Sequence, residues 1–319
     1  MIFEAIQAVL MVVIIIAVGY FVSWKGWAGK TVTNFISNLI VNVTLPCTAV
    51  TAFLTSFTAE TLADSWIYIL ASFLAIGVTW LIAKLVIKIA KIEKTQRGVF
   101  TALFSFSNSV FIGLPVATAI FGDDALIFAL FYYVANTTFM NSLGFVEIAR
   151  DGMELSCGGK GVCFTAKDIL KKIFKPPMIA VILGFILVML GVRLPVFLDS
   201  ALSYIGGITS PLALMFVGMV LQRTGISCVR KIDRGISWTL VGRYLVSPLV
   251  MLGVTACMGL AAFPSEVLTI QMSLPAMVTA TIFAEAAGAD TEFAARGVAV
   301  TTLLSFITIP IYILLFTYL

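Results

Sequence analysis

Histidine is absent from this 319-residue chain, and charged side chains make up only 11% of it. The first absence removes the residue enzymes most often use to move protons near neutral pH, and the commonest metal ligand. The second excludes a large soluble domain, which carries about 25% charged residues. Cysteine is sparse. Of five cysteines, Cys47 and Cys257 fall in apolar runs and read as packing residues, while Cys157 and Cys163 lie in the polar stretch CGGKGVC. Without histidine such a scatter does not supply the four ligands of a zinc site, so neither metal nor cofactor is expected. Basic residues form no patch interleaved with aromatics, so a net charge of +4 implies no nucleic-acid partner. The stretch WAGKT at 27–31 looks superficially like a nucleotide loop. That loop needs a glycine five positions before its Gly-Lys pair, and Trp24 stands there. No ATP site, and so no primary pump, is expected.

What remains is apolar: 61% of residues are hydrophobic and mean hydropathy is +1.09. The bilayer is the solvent for such a chain, and a helix crossing it needs about 20 apolar residues. Ten runs meet that requirement, at 3–23, 33–56, 65–88, 98–121, 125–148, 176–194, 197–221, 235–259, 264–287 and 292–317. The first has no basic residue ahead of it and includes Glu4, so it reads as an uncleaved span rather than a signal peptide. The expectation is an all-α integral membrane protein in the cell membrane, with lipid as its surroundings.

Charge orients the spans. Lys25, Lys30, Lys84, Lys88, Lys91, Lys94 and Arg97 fall in alternate connections, joined by the basic residues of 149–175 and by Arg223, Arg230, Lys231, Arg234 and Arg296. The other connections carry one basic residue, Arg193, beside acids such as Glu60, Asp64, Asp123, Asp124 and Asp199. Positive loops stay in the cytoplasm. Both termini are therefore expected outside and the 149–175 loop inside.

Prolines repeat in matched places. Pro46 in VNVTLPCTAV and Pro211 in GGITSPLALM are 165 residues apart; Pro115 in FIGLPVATAI and Pro275 in QMSLPAMVTA are 160 apart. The spacing predicts two halves of five helices, 1–148 and 176–319, joined by the 149–175 linker. An odd number of spans inverts the second half against the first, the plan of many secondary transporters.

The stretch FSFSNSVFIGLPVATAIFGDD, 104–124, shows what the prolines do. It is long enough to cross a membrane, yet Asn108, Ser109, Gly113 and Pro115 weaken its middle. Proline removes a donor and clashes with the preceding turn, and the freed carbonyls need a partner that lipid does not offer. Broken helices 4 and 9 therefore belong inside protein, where their N-terminal ends suit an anion. If Gly113–Pro115 and Ser273–Pro275 meet, two such ends converge. Asn108 adds an amide donor, and Asn136 and Asn141 can contribute from the fifth span, as can Asn38, Asn42 and Thr44 from the second. Arg243, about two turns into the eighth span, either pairs with a substrate carboxylate or reaches the cytosolic interface. Glu147 and Glu285 lie near inner span ends and read as interfacial. The substrate-binding set is thus Asn108, Ser109, Gly113, Pro115, Asn136, Ser273, Pro275 and Arg243, with no catalytic residues.

The runs SNSVFIGLPV, DDALIFALFYYVANTT, SPLALMFVGMVL and SLPAMVTATIFAEAAGAD resemble the auxin efflux carrier family, across nearly the whole chain. The likeness is to its short bacterial branch of malate and malonate permeases rather than to the plant carriers with their long central loop. The resemblance implies ten helices in an inverted repeat, crossing at Pro115 and Pro275, with elevator-like transport of an organic anion and homodimers formed through the second and seventh helices. It implies that Asn108 helps bind a substrate carboxylate. Ser109 and Val110 depart from the family pattern, which places a glycine near that asparagine. Na⁺ or H⁺ as coupling ion, a sodium-coupled carrier, and a receptor or channel remain alternatives at this point.

Overall fold

The structure, a computed structural model, describes residues 2–56, 58, 65–157, 176–225 and 232–318. Among them regular structure is entirely helical, in keeping with a solvent where every backbone group must pair within the protein. In chain order the α-helices are α1 (Ile2–Trp24), α2 (Lys30–Leu39), α3 (Leu45–Ser56), α4 (Trp66–Ala90), α5 (Arg97–Ser105), α6 (Leu114–Phe121), α7 (Ala125–Phe139) and α8 (Phe145–Cys157). They continue with α9 (Pro176–Met189), α10 (Val196–Gly207), α11 (Thr209–Thr224), α12 (Arg234–Val241), α13 (Ser247–Cys257), α14 (Ala262–Ser273), α15 (Thr279–Ala287) and α16 (Thr291–Tyr318).

Several of these join end to end. Six described helical stretches are long and apolar enough to cross a membrane: Thr31–Thr55, Trp66–Ala90, Ala125–Leu155, Val196–Arg223, Arg234–Cys257 and Thr291–Tyr312. Shorter apolar helices lie at Val13–Trp24, Ser109–Phe121 and Met178–Met189. The helix expected to end at residue 148 continues through Cys157, and the one expected to reach 194 stops at Met189. Residues 158–175, most of the expected linker and with them Cys163, lie outside the described set, as do Arg230 and Lys231.

The α4 helix displays the chemistry of a lipid-facing element. Its exposed face carries large apolar side chains, Leu70, Leu74, Leu81, Leu85 and Ile89, whereas its buried face is mostly small, with Ala71, Ser72, Ala75, Thr79 and Ala83 beside Ile76, Val86 and Ile87. A water-soluble helix is built the other way round. In lipid the gain comes from close packing, which favours small residues inside. The α1–α11 pair takes this furthest: a Cβ on Gly19 would collide with the Met215 carbonyl, and one on Gly218 with the Ile16 carbonyl. The same pair is pinned by Ser23 Oγ donating to Gln222 Oε1 at 2.8 Å.

Among the described residues, widened π turns occur at Ile40–Thr44, Ser109–Gly113, Met140–Gly144 and Gly242–Val246. Three of them end two residues before a proline: Pro46, Pro115 and Pro248. A proline ring clashes with the carbonyl four residues back, and a wider turn moves that carbonyl aside. At Pro46 this suffices to keep one helix running from Lys30 to Ser56. Pro211 stands in the first turn of α11, just after the turn at Ile208. Among the described residues, only at 106–108 and 274–278 does the backbone leave helical geometry between two apolar half-helices. The first of these breaks also divides two buried apolar clusters. Residues up to Phe106 pack with α4, α8 and α15, and residues from Val110 onward pack with α1, α3 and α11.

Candidate functional site

The two unwound stretches lie against each other as an antiparallel bridge, Ser107 opposite Ala276. Asn108 N–H donates to the Pro275 carbonyl at 2.9 Å, and Met277 N–H donates to the Phe106 carbonyl at 3.1 Å. Each break thus satisfies part of the other, and the crossing needs no water for those groups.

Side chains complete the pairing. Asn136 accepts from Ser107 N–H at 3.2 Å through Oδ1 and donates to the Ser107 carbonyl at 2.8 Å through Nδ2. One amide therefore stands in for both helical partners that Ser107 lost. Its Nδ2 also approaches Ser109 Oγ at 3.3 Å. Across the crossing, Thr301 Oγ1 accepts from Ala276 N–H at 3.1 Å. Ser107 Oγ donates to the Tyr132 hydroxyl at 2.8 Å. Gln271 Nε2 donates to the Gly113 carbonyl at 2.9 Å. A Cβ at Gly113 would strike Gln271 and Leu274, so only glycine admits this contact.

Breaking two helices creates four ends, and they are sorted by sign. The C-terminal ends of α5 and α14 meet Arg243, which is fully buried. Its guanidinium donates to the Phe104 carbonyl at 3.2 Å, to the Met272 carbonyl at 2.7 Å and to the Leu274 carbonyl twice at 3.0 Å. Helix C-termini carry partial negative charge, so the cation is compensated by carbonyl dipoles. Neither sequence expectation for Arg243 describes this: its donors face protein carbonyls, and it does not reach an interface.

The opposite ends meet elsewhere. Asn108 caps the half-helix Ser109–Phe121, accepting from Phe111 N–H at 3.3 Å through Oδ1. Val278 precedes the first residue of α15. Both line one small cavity of about 20 Å³, together with Val217 and Leu221 of α11 and Val298 and Thr302 of α16. Asn108 is 1% exposed, and its Nδ2 has no hydrogen-bond partner. An unpaired buried donor costs about 1–3 kcal/mol, so this amide is poised for an acceptor that enters the cavity.

The structure therefore gathers Asn108, Ser109, Gly113, Asn136, Ser273, Pro275 and Arg243 at one crossing, with Pro115 in the first turn of α6. They divide by role. Asn108 faces the cavity. Asn136 and Arg243 spend their donors on the broken backbone, and Ser273 Oγ donates to the Ile270 carbonyl at 2.9 Å. Tyr132, Gln271 and Thr301 belong to the crossing but are absent from the sequence-derived set. Thr301 carried a signal: it lies 165 residues after Asn136, the same offset as Pro46 to Pro211. Among the described residues no group of three His, Cys, Asp or Glu side chains is placed to hold a metal.

Comparison with known proteins agrees in kind. A family model described as a membrane transport protein matches residues 4–313. An uncharacterized transporter of Methanocaldococcus jannaschii is 25% identical over 314 residues, spanning 96% of this chain and 97% of its own. An uncharacterized transporter of Methanothermobacter thermautotrophicus is 23% identical over 309 residues, spanning 96% of each chain.

Proposed function

The chain belongs to the membrane transport protein family, the auxin efflux carriers that its motifs resemble, and from that premise we propose a secondary transporter of small organic anions. One observation carries the reading. The buried, unpartnered Nδ2 of Asn108 opens on a cavity shared by the N-terminal ends of two half-helices. Those ends and that donor all favour a carboxylate oxygen. Malate and malonate are the first candidates, following the bacterial branch that the motifs resemble.

The cavity admits about one water, so substrate enters only when α11 moves away from the crossing, to which α16 is tied through Thr301. In our reading the crossing is the part that carries substrate. Its two halves are tied by mutual backbone bonds and by Arg243, so they shift together against the α1–α11 pair, an elevator-like cycle. Asn136, Thr301 and Arg243 hold the crossing's shape, while Asn108 reads the substrate. The halves 1–148 and 176–319 form the inverted repeat of this scheme, and the parallel roles of Asn136 and Thr301 support it. Homodimerisation, outward termini and a cytoplasmic 149–175 segment complete the proposal.

A sodium-coupled variant has its own support. Ser105 Oγ and Gln271 Oε1 are buried near the breaks and have no hydrogen-bond partner; such oxygens suit a hard cation. A thermal-shift screen of purified protein against malate, malonate, succinate, lactate and indole-3-acetate, with and without Na⁺, tests both forms. Ligand binding to the native state raises the melting temperature. Stabilisation by one acid class that Asn108→Ala removes supports the anion site. A shift that requires Na⁺ supports the coupled variant. Shifts that Asn108→Ala leaves intact would remove this cavity from the substrate path.

A further inference from the structure

We propose that a basic bowl formed by α4, α5 and α8, away from the crossing, binds the phosphate headgroup of an anionic phospholipid. The bowl is a cavity of about 400 Å³ into which Lys84, Lys94, Arg97 and Arg150 open, a size within the range of ordinary ligand sites. Three acids share it, and two are already engaged. Glu147 pairs with Lys84 at 2.5 Å and accepts from Trp80 Nε1 at 3.1 Å. Asp151 accepts from Val99 N–H at 2.8 Å in the first turn of α5. That bond leaves the Asp151 charge in place, so beyond the Lys84–Glu147 pair Lys94, Arg97 and Arg150 face two carboxylates, Asp151 and Glu154. Among the described residues no ion pair joins those three cations to a carboxylate. The bowl therefore holds uncompensated positive charge in a concave site, the arrangement that attracts a phosphate.

The neighbouring surface identifies which phosphate. Leu81, Leu85 and Ile89 repeat at helical spacing along α4 beside Lys84, and they are 56%, 57% and 69% exposed. An apolar stripe leading to a basic bowl accepts acyl chains and headgroup at once. Bare membrane-facing leucines bind any lipid, and exposed lysines attract any anion; the joined pair selects an anionic lipid.

The test is native mass spectrometry of the detergent-purified protein with phosphatidylglycerol or phosphatidylcholine of the same chain length. Inorganic phosphate serves as a competitor in a parallel arm. The wild type should retain phosphatidylglycerol in preference to phosphatidylcholine. Arg97→Gln/Arg150→Gln should weaken that preference by roughly 25-fold, about 5-fold for each charge removed. If the double variant does not elute as folded protein, Arg150→Gln alone should show the single 5-fold loss. Lys88→Gln removes an exposed charge on α4 outside the bowl and should leave the preference unchanged. Equal retention of both lipids overturns the proposal. So does a loss with Lys88→Gln as large as with the bowl variants, which would mean diffuse interfacial charge. Displacement by inorganic phosphate without lipid preference would overturn the lipid source and assign a soluble phosphate. The readout involves no transport, so it stands or falls apart from the carboxylate reading.

Discussion

Asn108 uses the two ends of one amide for different purposes. Its Oδ1 caps a half-helix, and its Nδ2 waits in the cavity. Asn108→Asp keeps the capping oxygen, loses the donor and adds a charge that repels an anion. It should fold normally and lose at least about tenfold in carboxylate affinity by isothermal titration, the equivalent of one charge-assisted hydrogen bond. Arg243 predicts the reverse pattern. Arg243→Met orphans the Met272 and Leu274 carbonyls at about 1–3 kcal/mol each and leaves the Phe104 carbonyl with only Ser247 Oγ, at 3.5 Å, so its melting temperature should fall by about 5 °C or more. Arg243→Lys should not restore it, because an ammonium lacks the planar fork that reaches three carbonyls. A stable Arg243→Lys protein would show that charge alone suffices. From the sequence Asn108 was recognisable because it flanks a break. The work of Arg243 was not, since its acceptors are main-chain carbonyls up to 139 residues away and a carbonyl has no letter in a sequence.

The elements were more legible, because proline and glycine act through local geometry that any sequence displays. The pairs Pro46/Pro211 and Pro115/Pro275 marked where helices would be disturbed; one true break contains Pro275, but the other, expected at Gly113–Pro115, lies seven residues earlier at 106–108, and Pro115 itself is helical. Invisible was the difference in severity. A π turn absorbs Pro46 within one long helix, and another absorbs Pro115, but the second opens a half-helix at Ser109 directly after the 106–108 stretch that exchanges its partners for those of 274–278. Pro115→Ala should accordingly reduce substrate uptake in proteoliposomes more than Pro46→Ala. Equal losses would mean that the crossing has no special part in transport. The α1–α11 contact offers a packing test. Gly218→Val places a branched side chain against the Ile16 carbonyl and should lower the melting temperature by several degrees. A Gly218→Ala protein as stable as wild type would show that the two helices separate without cost.

At the scale of the whole molecule, composition settled the class and charge asymmetry suggested the sidedness. The positive-inside pattern predicts that Asp123→Cys, in a cysteine-free background, reacts with a membrane-impermeant maleimide on intact cells. Glu93→Cys should react only after permeabilisation. The opposite result would invert every loop together. Helix ends were read less well: α8 continues past residue 148 because Glu147 and Asp151 find Lys84, Trp80 and the start of α5 as partners inside the protein. A hydropathy window registers those acids only as polar.

The antiparallel bridge between the breaks has a dynamic consequence. Irregular backbone ordinarily trades its amide hydrogens with solvent within seconds, ahead of helices. Here the amides of Ser107, Asn108, Ala276 and Met277 are all buried and all bonded. In deuterium-exchange mass spectrometry the non-helical peptides at 106–108 and 275–277 should label as slowly as the helices around them. The proposed elevator-like cycle predicts that they keep that protection when substrate is added, since it moves the crossing without opening these joints.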